Sequence, residues 1–355
     1  MTAPTLRPGA APPPVVRCEP LGTVTLDALA GEGGMGRVWT GRSDAGPVAV
    51  KVLAPHLVDT PEAHRRFERE VTIAETLDSR RVPRLLGRGV TADGVPCFAM
   101  DLARGLTLEA VLAGAPRLSP ARTAAIVGQV LEAIADAHRA GITHRDVKPG
   151  NVMVHEAGDA LDVKLLDFGV ARAPWSSSIT LDSHTLGTLR YMSPELLFDA
   201  RSAGPECDLW AAAVIAYECL TGRAPFPSES LGRFALALDA AAFTPATTLS
   251  PTLPDAVDAF FAKAFARDPG ARYRSAPELA DALAAACAEP ARATPARATP
   301  ARRSRPLTQG ATRAVMATAS RRMAARLKLA PPRSKEATRV WSRRQAARGR
   351  RRTRD

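Results

Sequence analysis

One stretch near the middle of the chain combines acidic, basic and amide side chains that could together handle a phosphoryl group. It reads His144-Arg145-Asp146-Val147-Lys148-Pro149-Gly150-Asn151, and Asp167-Phe168-Gly169 begins sixteen residues after Asn151. Asp146 can orient an attacking hydroxyl, and Lys148 can offset the charge of a phosphate in transfer. Asn151 and Asp167 supply an amide and a second carboxylate, and Mg²⁺ prefers one or two carboxylates completed by substrate phosphates. The spacing therefore predicts a centre for phosphoryl transfer.

A glycine-rich segment closer to the N-terminus fits a pattern that cradles phosphates. In Gly31-Glu32-Gly33-Gly34-Met35-Gly36-Arg37-Val38 the glycines permit a tight turn and let bare backbone N–H groups approach phosphate oxygens. A dinucleotide site would place a helix after such a motif, whereas residues typical of β-strands lie on both sides of this one. The motif alone leaves open an ordinary glycine-rich hairpin.

A lysine and a glutamate downstream of the glycines form a candidate ion pair. Lys51 ends the apolar run Val48-Ala49-Val50-Lys51, where burial is costly unless the ammonium meets anions. Glu70 lies among apolar residues of the next helical pattern and is expected to point inward, with Glu68 and Glu75 facing solvent. The alternative for Lys51 is a lysine at the strand edge that reaches water.

These motifs make residues 21–287 resemble a Hanks-type protein kinase domain, most closely that of bacterial serine/threonine protein kinases. The resemblance implies an α+β, bilobal protein-kinase fold. A small antiparallel β-rich lobe with one helix would precede a larger, mainly helical lobe. It also implies ATP as the phosphoryl donor, Mg²⁺ as the metal and protein Ser/Thr hydroxyls as acceptors.

The resemblance implies a role for each residue of the motifs. Gly31, Gly33 and Gly36 would cover the ATP phosphates, and Lys51, held by Glu70, would contact the α- and β-phosphates. Asp146 would be the catalytic base, Lys148 would contact the γ-phosphate, and Asn151 and Asp167 would hold Mg²⁺. The adenine pocket would be formed by Val38, Ala49 and Met153 around the ring, Met100 at the back, and backbone groups of Asp101 and Ala103. Met153 on its own is more typical of a core residue.

A second set of residues matches the part of the family that docks protein substrates. Lys148, two residues after Asp146, is typical of the serine/threonine subclass. In Gly187-Thr188-Leu189-Arg190-Tyr191-Met192-Ser193-Pro194-Glu195, Thr188 is expected to hydrogen-bond toward Asp146 and Lys148. Glu195 is expected to form a structural salt bridge with Arg272, and Asp208 to brace the catalytic loop from a buried helix.

The loop before Thr188 is expected to be phosphorylated. Arg145 precedes the catalytic aspartate and is suited to bind a phosphorylated loop residue. Six hydroxyls lie between Gly169 and Gly187, and Thr180 and Thr185 are the favoured autophosphorylation sites, although loops are often rich in hydroxyls without such a role. Dimerisation for autophosphorylation is a further expectation.

Composition and apolar periodicity divide the chain into three parts. Residues 1–20 are rich in Pro and Ala and are expected to be disordered. Residues 21–288 form the predicted kinase domain, with lobes at 21–102 and 104–288. Strands are expected at 23–26, 37–40, 47–53 and 96–102. A helix is expected to start at Ser119-Pro120 and to end at Gly141, and residues 206–221 are apolar all round, which predicts a buried helix. Five cysteines without paired spacing, and no apolar run near 20 residues, favour the cytoplasm.

The third part, residues 289–355, is a basic low-complexity tail that is expected to be disordered. Residues 290–355 hold 20 Lys and Arg against Glu336 and Asp355, so this segment carries +18 and the rest of the chain −6. Such charge could bind nucleic acid or anionic lipid. The alternative is a solvated linker.

Three functions remain open at this stage. An active protein kinase is favoured by the complete motif set. A pseudokinase scaffold is disfavoured by intact Lys51, Asp146, Asn151 and Asp167, and a small-molecule phosphotransferase by the segment 188–195 with Arg272.

Overall fold

In the computed structural model, residues 15–168, 189–199, 203–226 and 230–288 are described. Nine strands occur in these residues: β1 Val15–Glu19, β2 Gly22–Gly33, β3 Gly36–Ser43, β4 Gly46–Leu53, β5 Leu85–Thr91, β6 Pro96–Asp101, β7 Leu106–Thr107, β8 Val152–Ala157 and β9 Ala160–Leu165. The same residues form nine α-helices: α1 Pro61–Thr76, α2 Leu108–Gly114, α3 Pro120–Arg139, α4 Pro194–Phe198, α5 Glu206–Thr221, α6 Leu231–Asp239, α7 Ala246–Leu249, α8 Asp255–Ala264 and α9 Ala276–Ala288. The expected order, a β-rich lobe with one helix before a mainly helical lobe, is confirmed.

The N-terminal lobe is a closed antiparallel barrel with the strand order β1-β2-β3-β4-β6-β5. Alternate residues of each strand point inward, since side chains of a β-strand alternate between two faces. The interior is filled by small and branched apolar residues: Val16, Cys18, Val24, Leu26, Val48, Val50, Cys97 and Ala99. On β4 the opposite face is buried as well, through Ala49 and Lys51. Lys51 therefore lies on the side of β4 that faces away from the barrel interior, where its ammonium contacts Glu70 and Asp167.

The prediction of disorder for residues 1–20 was wrong for its last part. Val15–Glu19 forms β1, which pairs with both β2 and β5, and Val16 and Cys18 are buried in the barrel. The proline-rich composition obscured a short alternating strand, Val-Val-Arg-Cys-Glu, which pairs with the adjacent strand β2 and with β5, far away along the chain. The folded lobe therefore begins before residue 21, while residues 1–14 lie outside the described part.

Helix α1 packs on the barrel next to Lys51. Pro61 stands in its first turn after Thr60, and the buried residues Ala63, Phe67 and Val71 form one apolar stripe with Leu53 and Phe98 of the sheet. The rings of Phe67 and Phe98 lie 5.3 Å apart. Because Glu70 lies three residues after the buried Phe67, it shares that face of the helix, and its carboxylate is turned toward the sheet.

The larger lobe is built around helices α3 and α5. The predicted cap of α3 is present, since Ser119 Oγ accepts a hydrogen bond from the backbone N–H of Arg122, and the helix ends at Arg139 before Gly141 in a left-handed conformation. Helix α5 is buried over nearly its whole surface, as its uniform apolar sequence predicts, and Trp210 stacks on Phe226 beside Phe265. None of the helices in the described ranges is long and apolar enough to cross a bilayer.

The larger lobe is mainly helical, as expected, and it also contains a three-stranded antiparallel sheet of β7, β8 and β9, which the apolar periodicity did not predict. Strands β8 and β9 are short hairpin strands with the alternating burial of Val152 and Val154 and of Val163 and Leu165. The hairpin begins after Asn151 and ends before Asp167, so it brings together two side chains that the sequence separates by sixteen positions.

Candidate active site

The loop 144–151 is held from below by the carboxylate of Asp208. Asp208 lies on α5, is 1% exposed, and accepts hydrogen bonds from the backbone N–H groups of His144 at 2.8 Å and Arg145 at 2.7 Å. His138 Nε2 of α3 lies 2.8 Å from the same carboxylate. These are the contacts that the bracing role predicted for Asp208 requires, and Arg145 adopts a left-handed φ of 62° at this point.

Asp146 projects from this loop with its orientation set by two neighbours. Lys148 Nζ donates to Asp146 Oδ2 at 2.8 Å, and Asn151 Nδ2 donates to the same oxygen at 3.1 Å and to the Asp146 carbonyl at 2.9 Å. Among the described residues no hydrogen bond reaches Asp146 Oδ1. This oxygen is therefore available to accept a proton or a hydrogen bond from a hydroxyl.

Lys51 links the two lobes through two carboxylates. Its Nζ donates to Glu70 in a buried ion pair, as predicted, and to Asp167 Oδ1 at 2.9 Å. The Lys51 and Glu70 side chains are only 10% and 11% exposed, whereas that of Asp167 is 42% exposed. Asp167 also has a left-handed φ of 51°. The contact between Lys51 and Asp167, 116 positions apart, was not predicted from the sequence.

The charges of this cluster shift the pKa values of its members. Burial alone would lower the pKa of Lys51, but Asp167 and Glu70 outweigh it and raise the pKa. Burial raises the pKa of Glu70, and Lys51 only partly offsets it. For Asp167, partial burial on its own would raise the pKa, whereas the charge of Lys51 and its hydrogen bond lower it. Lys51 thus remains a cation and Asp167 an anion over the physiological pH range.

Asn151 and Asp167 are positioned as a small ligand pair for a cation. The backbone N–H of Leu166 donates to the carbonyl of Asn151 at 2.8 Å, which ties the two segments together. Asn151 Nδ2 is committed to Asp146, so its Oδ1 remains as the ligand atom, and Asp167 Oδ2 is likewise not engaged by Lys51. Three His, Cys, Asp or Glu side chains do not gather anywhere in the described ranges, so a metal here would depend on other ligands for the rest of its shell. This donor set fits Mg²⁺ shared with phosphates.

The glycine-rich segment forms the tip of the hairpin of β2 and β3: the end of β2, the turn and the start of β3. A Cβ on Gly36 would lie 2.3 Å from the carbonyl oxygen of Val52, so the backbone packing requires glycine there. A Cβ on Gly31 or Gly33 would meet nothing within 4 Å, and both residues are exposed. The chain's own packing therefore does not explain these two glycines, which leaves room for a ligand above the turn.

The residues predicted to line an adenine pocket lie on neighbouring strands and the segment after them. Ala49 of β4 is in register with Met100 of β6, and Val38 of β3 is in register with Lys51. Asp101 pairs through its carboxylate with Arg84, at 3.0 Å, and its backbone N–H donates to the Arg84 carbonyl, also at 3.0 Å. Ala103 and Met153 are half-buried on the C-terminal side of this strand, with Met153 on β8. Their roles toward a nucleotide stay predictions.

The salt bridge predicted between Glu195 and Arg272 is present and is bidentate. Arg272 Nη1 and Nη2 donate to the two Glu195 oxygens at 3.0 and 2.9 Å, and its guanidinium lies 4.6 Å from the Trp210 ring centroid. Arg145 donates to the carbonyl of Ala203, while its buried Nε has no hydrogen-bond partner within the described ranges. Thr180, Thr185 and Thr188 lie outside these ranges.

Comparisons with known proteins agree with this geometry. The family model described as the protein kinase domain matches residues 25–282. The chain is similar to the serine/threonine-protein kinase PknE of Mycobacterium tuberculosis, with 36% identity over 269 residues, which are 75% of this chain and 46% of PknE. It is also similar to PrkC of Bacillus subtilis, with 34% identity over 234 residues, 65% of this chain and 35% of PrkC. The match therefore spans less than half the length of these relatives.

Among solved structures, the chain is similar to the kinase domain of Mycobacterium tuberculosis PknI. The TM-score is 0.56 with 28% identity, covering 73% of this chain and 94% of the other. A double mutant of the same domain matches with a TM-score of 0.59 and 26% identity, covering 80% and 99%.

Proposed function

Because the chain belongs to the protein kinase domain family, we propose that it is a serine/threonine protein kinase that transfers the γ-phosphoryl group of ATP to Ser and Thr hydroxyls of proteins. One observation carries this proposal. Lys51 bridges Glu70 and Asp167, and the hydrogen bond from Leu166 to Asn151 ties Asp167 to the loop in which Asp146 keeps Oδ1 open. Phosphoryl transfer requires a positioned phosphate and a positioned hydroxyl. Lys51, held by two carboxylates, can position the phosphate, and the unpaired Oδ1 of Asp146 can position the hydroxyl.

Asp146 is proposed to act on the acceptor hydroxyl. Lys148 and Asn151 hydrogen-bond to its Oδ2 and so stop the carboxylate from rotating freely. Its Oδ1 therefore keeps a fixed direction. Lys148 stands 2.8 Å from this carboxylate and places a positive charge beside the transferring group. Positioning and charge stabilisation supply most of the rate enhancement in phosphoryl transfer, and both depend on this preorganisation.

Members of this family use ATP and Mg²⁺, and the residues present fit both. Asn151 Oδ1 and Asp167 are the proposed protein ligands of Mg²⁺, which would neutralise phosphate charge when bound. Lys51, kept cationic by its two carboxylates, is proposed to contact phosphate oxygens, and the exposed glycines of the β2–β3 turn to cover them. Ala49, Val38 and Met153 are proposed to hold the adenine ring.

The acceptor is proposed to be a polypeptide rather than a small molecule. Arg272 and Glu195 anchor the start of α4, directly after the segment that resembles a substrate-docking loop, and Ser193 Oγ caps that helix by accepting from the backbone N–H of Leu196. Such rigid support would serve an extended peptide. The intact Lys51, Asp146 and Asp167 geometry disfavours a pseudokinase.

Autophosphorylation in the loop before Thr188 is part of this proposal, with Thr180 or Thr185 as the acceptor and dimerisation as the route between copies. It is supported by Arg145, whose buried Nε lacks a partner among the described residues. A phosphate would carry a charge of about −1.5 to −2 and could accept from such a guanidinium. Mass spectrometry of protein incubated with ATP would locate the phosphate.

The basic segment 290–355 is proposed to contact a polyanion, on the strength of its +18 charge alone.

We also propose that the protein acts in the cytoplasm. This is supported by the five cysteines, which are all free and buried thiols. Cell fractionation with an antibody against the chain would test the location.

The activity is tested with full-length protein, Mg·ATP and a generic basic protein substrate. We expect phosphoserine and phosphothreonine in wild type, and a loss of turnover by orders of magnitude in Asp167→Asn and Asp146→Ala. Asp159→Asn is the matched control, because Asp159 is an exposed aspartate on the turn of the same β8–β9 hairpin. Equal turnover in wild type, Asp167→Asn and Asp159→Asn would refute the proposal.

A further inference from the structure

Two cysteines meet inside the N-terminal barrel, away from the active site. Cys18 Sγ of β1 and Cys97 Sγ of β6 lie 3.9 Å apart, and the two residues are 0% and 2% exposed. They are 79 positions apart in the sequence, and no role in phosphoryl transfer falls on either. The contact thus places two nucleophilic groups side by side in an otherwise apolar interior.

The contact exists because a glycine separates the two strands. Cys18 and Cys97 are both in register with Gly89 of β5, one from each side. Strands two apart in a flat sheet lie about 9.5 Å from each other, too far for a disulfide, whose Cα atoms are about 4.4–6.8 Å apart. A side chain at Gly89 would collide with the backbone of β1 at Arg17 and Cys18, so glycine is needed for β1 to lie this close.

Strand β1 also leans onto β5 at this point. A Cβ on Gly89 would lie 1.7 Å from the carbonyl oxygen of Arg17 and 2.9 Å from Cys18 Cα, and a Cβ on Gly87 would lie 3.5 Å from Cys18 Cβ. The two glycines therefore let the backbone of β1 sink toward the barrel interior. This curvature brings Cys18 across β5 to the side chain of Cys97.

We propose that Cys18 and Cys97 are a modification site at which a peroxide forms a reversible intramolecular disulfide that ties β1 to β6. The Cys18 thiolate attacks one oxygen of the peroxide, which gives a sulfenic acid and releases hydroxide. Cys97 then attacks that sulfur, and water leaves as the S–S bond forms. In total two thiols lose two electrons and two protons, and one hydrogen peroxide becomes two waters.

The environment of the pair suits this order of events. The hydrogen bond between the two sulfurs outweighs burial and lowers the pKa of Cys18, whereas the same contact together with burial raises the pKa of Cys97. A thiol with a lowered pKa has the larger fraction of thiolate, which is the form that attacks a peroxide. Burial of both sulfurs means that the peroxide must reach them through an opening of β1, which has only five residues. Oxidation is therefore expected to be slow in the folded protein.

The test uses full-length protein treated with hydrogen peroxide, followed by alkylation, proteolysis and mass spectrometry. The expected result is a peptide pair joined through Cys18 and Cys97, a loss of two hydrogen atoms from the intact mass, and reversal by dithiothreitol. The oxidised protein should also unfold at a temperature higher by about 5–10 °C, since the bond closes a long loop.

Three variants keep the result interpretable. After peroxide treatment, Cys18→Ser and Cys97→Ala should each keep their intact mass free of the two-hydrogen loss and show no rise in unfolding temperature. Two different substitutions are used so that the test does not depend on one variant that fails to fold. Cys287→Ser is the matched control, because Cys287 is a buried free cysteine on α9, and it should behave as wild type. Higher oxides on Cys18 without the bond, or a bond to a second copy, would overturn the proposal. These readouts do not depend on kinase activity, so they fail separately from the proposed function.

Discussion

Asp208→Asn is the substitution that separates the catalytic loop from its support with the least change in shape. Asp208 Oδ2 accepts from the backbone of His144 and contacts His138 Nε2, while Oδ1 accepts from the backbone of Arg145. An amide has one oxygen and one NH₂ group, so at least one of the two backbone N–H groups would face a donor. The smaller loss occurs when the NH₂ group faces Arg145, because His138 and His144 then keep their acceptor.

The cost can be estimated from that geometry. A hydrogen bond to a charged group contributes about 1.5–3 kcal/mol, and a buried donor left without an acceptor costs about 1–3 kcal/mol. We expect the variant to lose about 2–4 kcal/mol of unfolding free energy. Displacement of the loop moves Asp146, so kcat should fall at least tenfold, a change of about 1.4 kcal/mol in the barrier. KM for ATP should change little, because Lys51 and the glycine turn lie on the other lobe.

The assay combines urea denaturation with initial rates at saturating ATP. Asp258→Asn is the matched control, since Asp258 on α8 also accepts from a backbone N–H, that of Thr247, at 3.1 Å, but holds no part of the active site. It should lose stability by a similar amount while kcat of the folded enzyme stays near wild type. If both variants lost kcat equally, or if Asp208→Asn lost stability alone, the bracing argument would be refuted.

Four further outcomes follow from the structure. Glu70→Gln should change the unfolding free energy by less than about 1 kcal/mol, because burial already disfavours the charged form of Glu70. Its kcat/KM should nevertheless fall about tenfold or more, because Lys51 loses an anionic partner; urea denaturation and initial rates check the two outcomes. The pKa of Glu70 is raised in the folded protein, so folding favours its protonated form. As the pH rises from about 4.3 through the folded pKa, wild type should therefore lose unfolding free energy relative to Glu70→Gln. A pH series of unfolding curves measures this difference, and a parallel pH dependence of the two proteins would contradict it. Arg272→Lys should cost about 2–4 kcal/mol of unfolding free energy, because lysine cannot reproduce the bidentate contact with Glu195 or the stacking on Trp210; an unchanged urea midpoint would count against it. Deletion of 290–355 should abolish binding to duplex DNA or anionic vesicles without loss of kinase turnover. Binding by the full chain should weaken by orders of magnitude between about 50 and 200 mM salt, and equal binding by both forms would refute a role for the tail.

Local chemistry could be predicted from the sequence because it depends on residue type and short spacing. The segment His144 to Asn151, the glycine turn and the cap of α3 each act within a few residues of their own backbone, so their signals are written next to one another. The ion pair between Lys51 and Glu70 was predictable for a related reason. Both belong to regular elements whose periodicity shows which side faces inward.

Contacts between elements that are far apart along the chain were decided only by the tertiary structure. Strand β1 looked disordered because its five residues gain their second pairing partner only from β5, which is far away along the chain. Lys51 meets Asp167, and Cys18 meets Cys97, only after the hairpin of β8 and β9 and the curved barrel have formed. Such distances depend on register, twist and the absence of a side chain at Gly89, and these are properties of packed strands rather than of any one segment. Spacing along the chain carries no record of them.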